Sequence, residues 1–342
     1  MTACPTVQQW EDVATDRCTG AERASLMLHA ETCATCAKTL DDVRSNLSMA
    51  PAVRSALEFS ESRGTHPSPM GMVGRAFDGF TILRVLGSGS SATVYEALQD
   101  GTRRRVALKV LSTFAMGPGQ LRRFEHEAMV LARLRHPGIA QVLGTGTIRD
   151  DAGARPYIAM ELVDGQPITD HATAHGLGRN DRVALVAEAA EALHHAHASG
   201  IVHRDVKPGN VLVTREGGGG GSVRIVDFGF ARLTGPQSML STMHTAEGNI
   251  VGTVAYMSPE HIAGASAVDA RSDVYGLGVI AHEILTGRLP VVVRDMPLER
   301  AIKAIAEVEP ERLSRIDGSL AGDIETIVVR ALAKRPQDRY QT

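Results

Sequence analysis

His203–Gly229 is the stretch on which the reading of the chain turns. It runs HRDVKPGN (203–210), an apolar VLVT (211–214), a glycine-rich turn, VRIV (223–226) and DFG (227–229). Asp205 lies in the first loop, Asn210 follows five residues later, and Asp227 comes one hairpin further on. Phosphoryl transfer needs this set: one carboxylate orients an attacking hydroxyl, while an amide and a second carboxylate hold Mg²⁺ on nucleotide phosphates. The five consecutive glycines Gly217 to Gly221 read as a flexible hairpin connection and carry no chemistry.

The flanks agree with the centre. Upstream, Arg179 to Ser199 has helical apolar periodicity and ends at Gly200 in the manner of a C-cap. Further back, FTILRVLGSGSSATVYEAL from Phe80 is apolar alternation broken by a glycine turn, the pattern of a hairpin. Gly87, Gly89 and Ala92 occupy the small positions of a GxGxxG loop, where backbone N–H groups approach phosphate. A dinucleotide-binding turn would have to open a helix, whereas Thr93 to Leu98 is β-branched, aromatic and alternating, hence a strand. Lys109 follows on a strand, VALK, and Gln120 to Leu134 is helical by its spacing.

Together these motifs resemble eukaryotic-like bacterial serine/threonine protein kinases over residues 80–342. The resemblance implies an α+β, bilobal kinase fold. A small five-stranded antiparallel sheet with one helix forms residues 76–163, and a mainly helical lobe forms 164–342, with ATP between them. It makes Asp205 the residue that handles the acceptor proton, Lys207 the cation on the transferring phosphoryl group, and Asn210 and Asp227 the magnesium ligands, with Mn²⁺ as a substitute ion. Lys109 would bind the α- and β-phosphates and pair with Glu127, Glu125 being the alternative that faces solvent. Gly87, Ser88, Gly89 and Ala92 would cover the phosphates. Val94, Ala107 and Leu212 would sandwich adenine, Met160 would be the gatekeeper, and the backbone from Glu161 to Val163 would bond the base. Lys207 favours Ser or Thr acceptors over Tyr.

By the same resemblance, His203 and Phe228 belong to an apolar stack, Asp273 holds the catalytic-loop backbone, and Arg339 pairs with Glu260. The segment from Asp227 to Glu260 resembles an activation segment, in which Thr253 helps select the acceptor. Arg204 would receive a regulatory phosphate of about -1.5 to -2 charge, expected on Thr245 with Thr242 next; Glu247 supplies weak constitutive support. Partners implied are protein substrates and transient self-association for trans-autophosphorylation. A scaffold that binds nucleotide without transfer is the competing class, and the presence of Lys109, Glu127, Asp205, Asn210 and Asp227 speaks against it.

Residues 1–47 form a separate short unit whose apolar positions fit helices over Val7 to Asp16 and Gly20 to Leu47. So small a piece needs a staple. His29, Cys33 and Cys36 stand at i, i+4 and i+7, on one helix face, and Cys4 or Cys18 would close a tetrahedral zinc site. A Cys33/Cys36 redox pair is the alternative. HxxxCxxC resembles the zinc-binding domain of bacterial anti-sigma factors, which ranks Cys4 ahead of Cys18 and implies a protein-binding module. Residues 48–75, rich in Pro, Gly and Ser, read as a linker.

Composition bounds the remainder. The apolar fraction is 43% and the formal net charge -3, with no general pull toward nucleic acid or anionic lipid. All four cysteines precede residue 37, so the larger part has no disulfide framework, as in a reducing cytoplasm. The most apolar later stretch, Val274 to Leu285, is too short to span a membrane and contains His282 and Glu283. A cytoplasmic protein is expected, and RYQT at the end reads as the opening of a further helix in a longer parent.

Overall fold

Residues 4–5, 9, 13, 19–33, 36–37, 40, 69–89, 92–111, 118–150, 153–214, 221–228, 254–264, 268–293 and 296–342 are described by the structure, a computed structural model. The chain divides into two units, 1–66 and 67–342.

In the first unit, helix α1 (Gly20–Thr32) starts at a reciprocal cap. Thr19 accepts from the Glu22 N–H, and the Glu22 carboxylate accepts from the Thr19 N–H at 3.0 Å. The expected single helix from Gly20 to Leu47 is not what forms. Cys33 is an extended C-cap, φ -124° and ψ 105°, and the chain is helical again at Cys36 and Ala37. Among the described residues, Val13, Ala30, Cys36 and Leu40 are buried together.

The second unit begins with six antiparallel strands: β1 (Ala76–Phe77), β2 (Phe80–Ser88), β3 (Ala92–Gln99), β4 (Arg104–Leu111), β5 (Val142–Asp150) and β6 (Gly153–Glu161). Their order is β1-β2-β3-β4-β6-β5. The strand beyond the five expected is β1. Asp78 and Gly79, both at positive φ (47° and 79°), make the tight turn that folds it back on β2. The described residues also include part of the range read as linker, from Pro69. Met72 is buried against the sheet with Phe80, Ile82 and Tyr95. Helix α2 (Pro118–Leu131) packs its buried Phe124, Ala128 and Leu131 beside Ala107 and Ile158.

After the connection 162–164 come β7 (Gly165–Pro167), α3 (Ile168–Ala174) and the long α4 (Arg179–Ala198), which ends at Gly200 with φ 74°. Strands β8 (Val211–Thr214) and β9 (Ser222–Ile225) pair antiparallel and join β7 in a three-stranded sheet. Helices α5 (Pro259–Ile262), α6 (Ala270–Thr286), α7 (Leu298–Glu307), α8 (Leu313–Ile316) and α9 (Asp323–Ala331) complete the lobe. α6 is buried along most of its length because its sequence is apolar on nearly every side, and it touches α4 and α9. One apolar core runs from Ala92, Ala107 and Phe124 through Met160, Val206 and Phe228 to Ile280 and Ile284. No helix among the described residues is long and apolar enough to cross a membrane.

Candidate active site

The site is assembled from the loop between α4 and β8, the end of β9, and the face of β3, β4 and β6. Asp273, in the first turn of α6 and 1% exposed, organises the loop. Its carboxylate accepts the N–H of His203 and of Arg204, each at 2.7 Å, and faces His197 Nε2 at 2.8 Å. These bonds support Arg204 at φ 67°, an unusual backbone for a residue with a side chain. The His203 ring donates from Nε2 to the Val226 carbonyl at 3.0 Å, accepts the Asp205 N–H on Nδ1 at 3.2 Å, and lies tilted by 47° against Phe228 with centroids 4.6 Å apart. His203 and Phe228 are in ring contact, and Asp273 holds the loop backbone as expected.

Asp205 is half-buried. Its Oδ2 accepts from Lys207 Nζ at 2.7 Å and from Asn210 Nδ2 at 2.9 Å. Asn210 also donates to the Asp205 carbonyl at 2.8 Å, and its own carbonyl accepts the Val226 N–H at 2.9 Å, which stitches the loop to the end of β9. The next residue, Asp227, has φ 63°. Three of the four key groups, Asp205, Lys207 and Asn210, are thus in direct contact. Asp227 joins through the backbone.

Lys109 lies on β4 opposite Val94 of β3 and Ile158 of β6. Its Nζ donates to Asp227 Oδ1 at 2.6 Å. The Lys109–Glu127 pair expected from the resemblance is not the pair that forms here. One ammonium takes the carboxylate that β9 delivers within charge-assisted bonding distance, and Glu127 stays half-buried on α2. Glu125 is exposed, as expected.

Ala107 pairs with Met160 across β4 and β6, both buried, with Val94 packed against them; Leu212 lies half-buried on β8. The Glu161 N–H donates to the Gln141 carbonyl at 2.9 Å, and the Glu161 side chain is held by Arg224 of β9; Val163 follows in the connection. At the β2–β3 turn, Gly89 N–H donates to the Ala92 carbonyl at 2.9 Å. A Cβ on Gly87 would meet nothing, and one on Gly89 only the Ala92 carbonyl at 3.7 Å. Packing therefore does not demand glycine here; an open backbone face suits a phosphate ligand. Ser88 shares a hydrogen bond with Thr93, 3.2 Å between hydroxyls. Thr242, Thr245, Glu247, Thr253 and Gly229 lie outside the described residues.

Below the loop, Arg339 grips Glu260 with two bonds, 2.8 and 2.9 Å, and Ser272 adds a third at 2.6 Å. Burial pushes the Glu260 carboxyl up, but these bonds outweigh it and hold it at about 2. Burial lowers His261, in the same helix, while Asp205, Glu260 and Asp273 act in the opposite sense. Sequence reasoning missed His197, Arg224 and the Tyr256–Glu283 bond of 2.6 Å. Each is one polar residue on a helix or strand whose partner is distant in sequence, and no spacing signals it.

Residues 80–342 match the protein kinase domain family. The chain belongs to that family. Among kinases, it is 39% identical over 267 residues to serine/threonine-protein kinase PknB of Mycobacterium leprae, covering 78% of this chain and 41% of that one. It is 36% identical over 270 residues to serine/threonine-protein kinase Pkn1 of Myxococcus xanthus, covering 79% and 37%. The chain thus spans less than half the length of these kinases. The crystal structure of the Mycobacterium tuberculosis PknI kinase domain is similar with a TM-score of 0.57 and 32% identity, over 78% of this chain and 92% of that one. A Rad53 fragment in complex with AMP-PNP gives a TM-score of 0.60 at 28% identity, over 78% and 63%.

In the first unit, one ligand atom each from Cys4, His29, Cys33 and Cys36 lies within 4.8 Å of the others. The break after Thr32 makes this gathering compatible with a turn in the chain at Cys33. Burial, with the Cys33 and Cys4 thiols beside it, pushes the Cys36 thiol up to about 12. Cys18 lies outside the described residues.

Proposed function

We propose that the chain is an ATP-dependent serine/threonine protein kinase that transfers the γ-phosphoryl group to protein hydroxyls and autophosphorylates its activation segment. The observation that carries this reading is the contact of Asp205 with both Lys207 and Asn210, one hydrogen bond away from the strand end that bears Asp227. Asp205 orients the acceptor hydroxyl and takes its proton. Lys207 offsets charge on the phosphoryl group in transfer, and Lys109 holds the α- and β-phosphates. Asn210 and Asp227 would hold Mg²⁺, which supplies charge neutralisation of the phosphate oxygens when bound. Gly87, Ser88, Gly89 and Ala92 cover the phosphates; Val94, Ala107, Met160, Leu212 and the backbone from Glu161 to Val163 receive the base. Glu127 takes Lys109 when the nucleotide draws the lysine from Asp227.

Incubation of the full chain with labelled ATP and Mg²⁺, beside Asp205→Asn, tests the assignment. Labelling in the wild type and a fall of about 10²–10⁴-fold in the variant are expected. Wild-type protein that binds ATP and labels nothing would establish the scaffold reading instead. Labelled wild-type protein should carry phosphate on Thr245, then Thr242, with Arg204 as the phosphate's partner.

For residues 1–47 we propose a structural Zn²⁺ held by Cys4, His29, Cys33 and Cys36 in a module that binds a regulatory protein. Three thiols and one imidazole within reach of a single point support it, since soft thiolates with imidazole in a closed set of four suit zinc. Metal analysis of the full chain purified under reducing conditions should give one zinc per chain, lost in Cys33→Ser/Cys36→Ser protein. Protein substrates, transient self-association and a cytoplasmic location complete the reading.

A further inference from the structure

A histidine that the transfer chemistry leaves unused sits where the sheet lobe meets the helical lobe. Helix α2 is followed by the turn His136–Ile139, closed by the Ile139 N–H donating to the His136 carbonyl at 3.0 Å. The His136 ring lies against His195 of α4, centroids 4.9 Å apart. Gly138 approaches the same helix so closely that a Cβ on it would stand 3.0 Å from the Ala192 Cβ. β9 grips the turn from the other side. Ile225 N–H donates to the Gly138 carbonyl at 2.8 Å, Ala140 N–H to the Ile225 carbonyl at 2.9 Å, and Arg224 to the Pro137 carbonyl at 2.7 Å. Two residues after Ile225 comes Asp227.

The turn depends on a bond that only an unprotonated nitrogen can accept. Gly138 N–H donates to His136 Nδ1 at 3.0 Å, so Nδ1 carries a lone pair and the ring proton is on Nε2. A proton on Nδ1 would set two N–H groups against each other and place a cation on a half-buried ring. The charged and titratable groups around it are His195 and Glu191 on α4, Arg224 on β9, already bound to Pro137 and Glu161, and the exposed Arg133 and Arg135 on its own approach. Burial first, and then His195, lower the His136 imidazole below its ordinary range, while Glu191 acts against them.

We propose that His136 is a positioning residue for the transfer reaction: neutral, it locks the α2–β5 turn onto α4 and β9 and so fixes Asp227, and protonated, it releases the turn and slows turnover. This rests on the kinase reading above. The full chain is assayed between about pH 5.5 and 8.5, across the range in which histidines titrate, with a peptide copying residues 236–250 as acceptor. Asn at position 136 accepts the Gly138 N–H at any pH. His136→Asn should match wild-type kcat at the alkaline end and raise the ratio of acid-end to alkaline-end kcat by about twofold, with the KM for ATP unchanged. His136→Lys, charged throughout, should show the depressed kcat at every pH.

An identical acid limb in wild type and His136→Asn overturns the proposal. So does a ¹⁵N–¹H long-range correlation spectrum of the full chain that shows His136 protonated on Nδ1 at the alkaline end. That spectrum needs no turnover and decides the case even where a variant fails to fold. Wild-type protein inactive at every pH with His136 protonated only on Nε2 would remove the kinase reading and the proposed link to turnover, and leave the turn geometry standing.

Discussion

Arg339 has no exposed side-chain surface, yet it carries a full charge. It is tolerable because every face is used: Glu260 takes two of its bonds, the carbonyls of Ala333, Lys334 and Arg271 take others, and its guanidinium lies 4.9 Å from the centre of the Tyr275 ring. Arg339→Met leaves Glu260 without its cation in a half-buried place, and a loss of about 3–5 kcal/mol in denaturant unfolding is expected. The pH dependence has a definite sign. The Glu260 carboxyl is depressed to about 2 from 4.5, so its contribution is complete above the unfolded value and drains away as pH falls from 4.5 toward 2. Glu260→Gln should flatten the stability profile in that window, and a profile as steep as wild type would refute the pairing as its source. The sequence made Asp273 and Arg339 legible as structural residues because their motif neighbours fix their place. It could not show which carboxylate Lys109 takes, because that choice rests on where α2 and β9 lie to within an ångström.

Among the elements, α6 bears most directly on chemistry. Its Gly276 lets the helix press on the catalytic loop: a Cβ there would stand 2.8 Å from the Val206 carbonyl and 3.0 Å from the Val206 Cβ, one residue from Asp205. Gly276→Ala should cost about 1–3 kcal/mol and displace the loop. In kinetic terms kcat falls while the KM for ATP holds, since Val206 is not among the residues proposed to receive the nucleotide. Equal kcat in the two proteins would show that the loop absorbs the methyl group. Two elements were legible in advance: the β2–β3 hairpin from alternation, and α4 from apolar positions such as Leu185, Ala189, Ala192 and Ala196 and from its glycine stop. In the first unit the gathering of Cys4, His29, Cys33 and Cys36 was legible and the helix break was not, because positions 29, 33 and 36 fit one face of an unbroken helix as well as they fit a broken one.

At the scale of the molecule, the two units differ in what holds them. Among the described residues, the unit 1–66 buries a handful of side chains together, whereas 67–342 has three apolar clusters of its own. If the proposed zinc is bound, a chelator should therefore melt one and spare the other. Hydrogen exchange followed by mass spectrometry is expected to show faster exchange in residues 19–32 on adding chelator, and no change in 80–111 or 179–214. Protection of 19–32 that survives chelation would mean the small core suffices without metal.

The apolar layer that passes from β3 and β4 through α2 and the catalytic loop into α6 has a further consequence. The nucleotide cleft is a notch cut into one body, and the lobes are not separable parts. A chain severed between Asp164 and Gly165 yields two pieces, each with a raw greasy face where the other belonged. Expressed singly they should precipitate, and co-expressed they should recover as a soluble, nicked pair.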